Sequence, residues 1–181
     1  MFVDVRGFTS LAEKVGPAEL AQRLNRFYSL ATRMVFDYDG TLDKLIGDQV
    51  MAFFGAPIHS HDHPNRAVQA TLRIVKGMSD PVGNDGLQVG AGIATGVAFV
   101  GNVGEGAVAD YTVLGDTVNI AARLQAVAAP GEILMSQDTY DHVQADFPDA
   151  PCRELELKGK SEPVRARVIV ASGGTAAPKH G

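Results

Sequence analysis

The order of strand-like and helix-like segments limits the fold of this chain more than any other feature. An apolar strand pattern from Phe2 precedes a long helical pattern that begins at Pro17 and ends before Asp39. Two short strands about Gly47 and Asp48 read as a hairpin, and a helix, a Gly-rich apolar strand and further strands follow. The βααββαβ order predicts an α+β fold, a ferredoxin-like α/β sandwich with extra strands and a mostly antiparallel central sheet.

Size and composition restrict the class of protein. The 181 residues are expected to form one domain over 1–171, followed by a flexible small-residue tail over 172–181. A net charge of −5 argues against nucleic acid as a partner, and no apolar run has the length of a membrane segment. The single cysteine, Cys152, excludes an internal disulfide and indicates a reducing, cytoplasmic location.

An aspartate interrupts the first apolar strand. Asp4 stands in the run FVDV, where a carboxylate is costly unless a charge or a hydrogen bond meets it. Asp48 lies at the predicted hairpin tip, and a ferredoxin-type sheet makes that hairpin a neighbour of the first strand. Two carboxylates with a backbone carbonyl, such as that of Val5, would suit Mg²⁺ or Mn²⁺. A helix cap or salt bridge for Asp4 and a turn role for Asp48 are the alternatives.

The loop RGFTS follows Asp4 directly and opens a predicted helix. Backbone N–H groups at a helix start can hold phosphate oxygens, so this loop is a candidate phosphate cradle beside the carboxylates. Ser10 and Glu13 have the spacing of a capping box.

Four segments together resemble a known family. FVDVRGFTS, DKLIGDQVMAFFGAP, YTVLGDTVNIAARLQ and LKGKSEPV are similar, in order, to the signature segments of class III nucleotidyl cyclases, the adenylyl and guanylyl cyclase catalytic domain. The resemblance covers nearly the whole chain except its tail. It implies cyclisation of a nucleoside triphosphate with release of pyrophosphate.

The resemblance also implies roles for individual residues. Two Mg²⁺ or Mn²⁺ ions per active site would be held by Asp4 and Asp48 with the Val5 carbonyl, one activating the ribose 3′-hydroxyl and the other holding the triphosphate. The phosphate loop of the family matches the segment that contains Phe8 and Thr9. Its lysine for the terminal phosphates matches Lys158; without the family match, this lysine would be an exposed basic turn residue.

A polar pair lies on the predicted helix after the third signature segment. Asn119 and Arg123 are four residues apart and therefore share one face of an otherwise apolar helix. Without the resemblance, a solvated polar stripe would be the simpler interpretation. The family resemblance implies instead that Asn119 positions the ribose and that Arg123 meets charge on the α-phosphate in the transition state.

The two positions that read the purine in this family are Lys44 and Thr112 here. Lys44 can only donate a hydrogen bond and Thr112 can accept one, which matches adenine. Many family members carry aspartate at the Thr112 position, and a hydroxyl can also donate. Guanylyl cyclases carry glutamate at the Lys44 position. The expected substrate is therefore ATP.

In the family the metal aspartates and the Asn/Arg pair belong to opposite subunits. A chain with both sets is expected to form a homodimer with two shared active sites. The expected function is that of an adenylyl cyclase producing 3′,5′-cyclic AMP and pyrophosphate. The alternatives are a catalytically weak or inactive dimerisation module, a guanylyl cyclase and a diguanylate cyclase. The GGDEF hairpin of diguanylate cyclases is absent, since the hairpin reads IGDQV.

Overall fold

A computed structural model describes residues 1–80, 87–105, 109–157 and 162–171. These residues form nine strands and five helices, in the following order: β1 Phe2–Arg6, α1 Phe8–Ala12, α2 Pro17–Asp37, β2 Thr41–Ile46, β3 Gln49–Phe53, α3 His63–Ser79, β4 Gln88–Ile93, β5 Phe99–Val103, β6 Asp110–Leu114, α4 Asp116–Val127, β7 Glu132–Ser136, α5 Gln137–Val143, β8 Cys152–Leu155 and β9 Val164–Val170.

The central sheet has seven strands in the order β2-β3-β1-β4-β7-β9-β8. Its first four strands pair antiparallel, and with the intervening helices they form the βααββαβ core in the ferredoxin arrangement. The pairing of β4 with β7 is parallel, and β9 pairs antiparallel with both β7 and β8. β5 and β6 form a separate antiparallel pair. The predicted α+β fold with a mostly antiparallel sheet is confirmed.

Alternate side chains of the sheet pack against different helices. Val3 and Val5 of β1 belong to the main core, which includes Phe27 of α2 and Ile74 of α3. Phe2 belongs to a second cluster with residues of β3, β6 and α4. Because side chains alternate along a strand, Asp4 lies on the same face as Phe2, toward α4. The sheet thus carries α2 and α3 on one face and α4 with the β5–β6 pair on the other.

α4 lies directly against the backbone of β4. A Cβ at Gly92 would lie 2.2 Å from the Ala121 carbonyl oxygen and 2.3 Å from the Gln125 nitrogen. Only glycine leaves room for this approach. Gly92 also pairs with Phe2 of β1, so the contact fixes α4 over the centre of the sheet.

One local prediction is wrong, and two others concern residues outside the described part of the chain. α1 begins at Phe8 with Gly7 as its N-cap, so Ser10 lies inside the helix and the capping-box interpretation is wrong. Pro17 does begin α2 as predicted. The proposed phosphate lysine, Lys158, and the tail over 172–181 lie outside the described residues.

Candidate active site

Asp4 occupies the middle of the sheet, where β1 lies between β3 and β4. It pairs with Gln49 of β3 on one side and with Gly90 of β4 on the other. Its side chain is 20% exposed. The β2–β3 hairpin brings its tip to the same place, because the Val5 N–H donates to the Asp48 carbonyl oxygen at 3.1 Å. Gly47, with a φ of 61°, makes this tight turn possible.

The two carboxylates interact electrostatically. Burial raises the pKa of Asp4 above its usual value, and the negative charge of Asp48 raises it further. Arg6 and a hydrogen bond with Gln125 lower this pKa and oppose the effect only in part. A half-buried carboxylate next to a second one is the arrangement that a divalent cation stabilises, because the cation removes both the repulsion and the cost of burial.

Arg6 is the cationic neighbour of Asp4 in the structure, and it is an imperfect partner. Its Nη1 lies 3.6 Å from the Asp4 Oδ2, beyond normal hydrogen-bond distance. Its Nη2 donates to the Gln125 carbonyl oxygen, and its Nε is buried with no hydrogen-bond partner among the described residues. The Arg6 side chain is therefore directed mainly toward α4, and it leaves Asp4 incompletely neutralised.

The donor set suits a magnesium-type ion bound together with a substrate. Among the described residues, no group of three or more His, Cys, Asp or Glu side chains is arranged to hold a metal ion. Two aspartates and the Val5 carbonyl form a smaller set. Mg²⁺ is commonly bound by one or two carboxylates with the remaining positions taken by water and substrate phosphates. The residues present fit such an ion.

Three residues that the sequence analysis did not identify support this pair. The Tyr28 hydroxyl of α2 donates to the Gly47 carbonyl oxygen at the hairpin tip. Burial and the Asp48 charge both raise the pKa of Tyr28, which keeps the hydroxyl a donor. Gln125 is buried, and its Oε1 accepts from the Gln49 Nε2 at 2.9 Å. The sequence does offer a signal for Gln125, a polar residue in the otherwise apolar α4. It offers no signal for Tyr28.

The loop after Asp4 has the predicted form at the backbone level. Gly7 adopts the left-handed conformation with a φ of 71°, and α1 starts at the next residue. Phe8 is half-buried against the main core, whereas Thr9 is exposed. The N–H groups in the first turn of a helix lack acceptors within the helix, so the loop retains the donors that the phosphate prediction requires.

Lys44 and Thr112, far apart in sequence, lie close together because β6 packs against β2. Both contact Asp43: the Lys44 Nζ lies 2.9 Å from Oδ1, and the Thr112 hydroxyl donates to Oδ2 at 2.7 Å. Lys44 also donates to Asp110. Its hydrogen bonds to Asp110 and Asp43 raise the pKa of Lys44, so it is protonated at neutral pH. Asp43 was not singled out in the sequence, where it reads as an ordinary strand residue.

Asn119 and Arg123 lie together on α4 but are directed away from Asp4. Ala121 and Gln125 form the face of α4 that lies on the sheet. Residues two positions away lie on nearly the opposite side of a helix, which places Asn119 and Arg123 on the outer face. Asn119 is exposed. The Nη1 of Arg123 is buried and has no hydrogen-bond partner among the described residues.

A cavity of about 220 Å³ lies elsewhere, among residues of α3, β3 and α4. Its lining includes Phe53, His63, Val113 and Thr117, and none of the predicted site residues. Ligand pockets are commonly about 300–1,000 Å³, so this cavity is too small for a nucleoside triphosphate. In the described part of the chain, no helix combines the length and the apolar character needed to cross a lipid bilayer.

Comparisons with known proteins agree with this architecture. A family model described as the adenylate and guanylate cyclase catalytic domain matches residues 1–169. An uncharacterized protein of Mycobacterium tuberculosis is 34% identical over 175 residues, covering 93% of this chain and 32% of that protein. A Mycobacterium bovis protein named adenylate cyclase is 31% identical over 163 residues, covering 88% of this chain and 36% of that protein. The chain thus spans about a third of the length of these curated relatives.

Solved structures of both specificities resemble the fold. The crystal structure of the adenylyl cyclase CyaB from P. aeruginosa has a TM-score of 0.80 and 32% identity, covering 97% of this chain and 94% of that one. The guanylyl cyclase Cya2 has a TM-score of 0.81 and 29% identity, covering 92% of this chain and 88% of that one. Because an adenylyl and a guanylyl cyclase are equally similar in fold, the fold does not distinguish ATP from GTP as the substrate.

Proposed function

Because this chain belongs to the family of adenylate and guanylate cyclase catalytic domains, we propose that it is an adenylyl cyclase that converts ATP to 3′,5′-cyclic AMP and pyrophosphate. The observation that carries the proposal is the meeting of Asp4 and Asp48, fixed by the hydrogen bond between the Val5 N–H and the Asp48 carbonyl. The catalytic domain is proposed to comprise residues 1–171, followed by a tail over 172–181.

Asp4, Asp48 and the Val5 carbonyl would hold two Mg²⁺ or Mn²⁺ ions. When bound, these ions lower the pKa of the ribose 3′-hydroxyl and neutralise charge on the triphosphate. These residues would hold the cations at the end of β1. The backbone N–H groups at Phe8 and Thr9, which follow directly, would donate hydrogen bonds to phosphate oxygens. Lys158 is proposed to bind the terminal phosphates.

Asn119 and Arg123 would act on the reacting part of the nucleotide. Asn119 is exposed and can donate to and accept from ribose oxygens. The buried Arg123 Nη1 without a hydrogen-bond partner among the described residues is a donor that a phosphate oxygen would satisfy. A guanidinium held in this way favours the transition state, in which negative charge builds on the α-phosphate.

The site would be shared between two copies of the chain. Asn119 and Arg123 lie on the outer face of α4, whereas Asp4 lies beneath the inner face, so one copy does not direct both sets toward one substrate. Large apolar side chains are exposed on β2 and around the β5–β6 pair, which supports an interface on this side of the molecule; they are Leu45, Ile46, Val97, Phe99, Tyr111 and Leu114. A twofold homodimer would contain two equivalent sites.

ATP is the proposed substrate because Lys44 offers a donor and Thr112 an oxygen within one side-chain cluster. Similarity to the guanylyl cyclase Cya2 keeps GTP as the second candidate. Since the chain spans about a third of its relatives, a full-length protein can carry regulatory parts that its activity depends on. A cytoplasmic location, where ATP is available, follows from the proposal.

The test is a nucleotide assay with purified protein. We expect cyclic AMP from ATP in Mn²⁺ or Mg²⁺, and much less cyclic GMP from GTP. Asp48→Asn should lower the rate by about a hundredfold or more, because it removes one carboxylate of the cation site. Asp149→Asn, at an exposed position, is the matched control. No product from either nucleotide would contradict the proposal and favour an inactive module; a preference for GTP would favour a guanylyl cyclase.

A further inference from the structure

Asp43 occupies an unusual position for a carboxylate. The pairing of β2 with β3 shifts register between Leu42 and Lys44, so Asp43 lies in an irregularity of the strand. Its side chain has 0% exposure. A fully buried carboxylate needs charged or hydrogen-bonding partners to offset the loss of its hydration.

All the described hydrogen-bond partners of Asp43 are donors. The Lys44 ammonium meets Oδ1, and the Thr112 hydroxyl and the Val113 N–H meet Oδ2 at 2.7 and 3.4 Å. A carboxylate has no proton to give, so the Thr112 hydroxyl must use its only proton in this bond. What remains at Thr112 is an oxygen with lone pairs, which can accept but not donate.

Lys44 is held in a complementary state. Its ammonium has three N–H donors, and Asp43 and Asp110 take two of them. One donor is left. The cluster therefore offers one donor from Lys44 and one acceptor from Thr112, the pair that the N1 acceptor and the 6-amino donor of adenine require.

We propose that Asp43 is a positioning residue that sets the selectivity for adenine over guanine, because it makes the Thr112 hydroxyl an obligatory acceptor. This inference rests on the proposed function. Without Asp43, the hydroxyl could rotate and donate to the O6 of guanine, and threonine would discriminate poorly. With Asp43, guanine in the same pose places N1–H against Lys44 and O6 against the Thr112 lone pairs. Each mismatch leaves a buried polar group unpaired, which corresponds to about ten- to a hundredfold discrimination.

The experiment compares ATP with inosine triphosphate, which has the N1–H and O6 of guanine but no 2-amino group. The quantity measured is the ratio of kcat/KM for the two nucleotides. In Asp43→Asn the amide oxygen should face Lys44, which can only donate, and the amide N–H group should then donate to the Thr112 hydroxyl, so the ratio should fall by about tenfold or more. Asp149→Asn is the matched control, because Asp149 is exposed and makes no described bond to Lys44 or Thr112; its ratio should stay within about threefold of wild type.

A double-mutant cycle tests whether Asp43 acts through the hydroxyl. In a Thr112→Val background, Asp43→Asn should change the ratio much less than it does in wild type, because the group it orients is gone. Thr112→Ser, which keeps the hydroxyl, should retain the ATP preference, whereas Thr112→Val should lose about tenfold. If Asp43→Asn does not fold, the smaller Asp43→Ser is measured in its place; its hydroxyl, unlike a carboxylate, can donate to the Thr112 hydroxyl, so the same fall in the ratio is expected.

Two results would overturn the proposal: a folded Asp43→Asn with the wild-type ratio, or an equal loss of activity with both nucleotides, which indicates a structural role alone. Failure of the proposed function is recognised separately, as a wild-type protein that cyclises neither nucleotide. In that event the ratio of the dissociation constants of ATP and inosine triphosphate, measured by competition for binding, replaces the kinetic ratio, and a ratio unchanged by Asp43→Asn refutes the inference.

Discussion

Gly92→Ala should separate α4 from the sheet and so disturb the proposed active site from a distance. The new Cβ would lie 2.2 Å from the Ala121 carbonyl oxygen and 2.3 Å from the Gln125 nitrogen, where ordinary contacts begin at 3.4 Å. Both atoms belong to the backbone and cannot rotate away, so α4 must move outward by about 1 Å. Overpacking of this kind costs about 1–3 kcal/mol, and 2 kcal/mol lowers the Tm of a domain this size by about 4–8 °C.

The same displacement moves Asn119 and Arg123, which α4 carries. A shift of about 1 Å in groups that position a reacting substrate can lower turnover by about a hundredfold. The assays are thermal melting and kcat for ATP. Gly16→Ala is the control, because a Cβ there meets nothing within 4 Å; as an N-cap change it should cost less than about 1 kcal/mol. If Gly92→Ala matches Gly16→Ala in Tm and kcat, the close packing of α4 has no mechanistic importance.

Two further predictions concern the carboxylate pair. Tyr28→Phe removes the donor to the Gly47 carbonyl, a bond worth about 0.5–1.5 kcal/mol, and should weaken Mn²⁺ activation several-fold in a metal titration; an unchanged activation curve would refute the role. Because the raised pKa of Asp4 means that its ionisation opposes folding, Asp4→Asn should raise the Tm at pH 7 in chelator. That gain should vanish below the usual carboxyl pKa, where Asp4 is protonated in both states; melting curves across pH decide, and a gain independent of pH would contradict the account.

The approach of Asp4 and Asp48 was predictable because it follows from topology. A βααββαβ order places β1 beside the hairpin, and alternation along β1 puts Asp4 on the face opposite Val3 and Val5. The helix beginning at Pro17 was equally readable from its periodicity. Such features depend on local patterns and on a small number of allowed strand orders.

Contacts that depend on irregular geometry were not predictable. Asp43 turns inward only because β2 shifts register at that residue, and nothing in the sequence TLDKLI indicates the shift. Tyr28 reaches Gly47 because α2 packs against the β2–β3 hairpin. The short α5 was missed although it has a readable signal, since Ser136 caps the N–H of Thr139. A helix cap can therefore be detected in the sequence, whereas a register shift between paired strands cannot.

The shared site is the central claim, and mixing two inactive variants tests it most directly. Asp4→Ala chains lack the cation site, and Arg123→Ala chains lack the transition-state donor. If each site takes Asp4 from one copy and Arg123 from the other, half of the dimers in an equal mixture are heterodimers with one intact site, which restores about a quarter of wild-type activity. A mixture that forms heterodimers, shown by exchange of differently tagged chains, yet stays as inactive as its components would contradict the account.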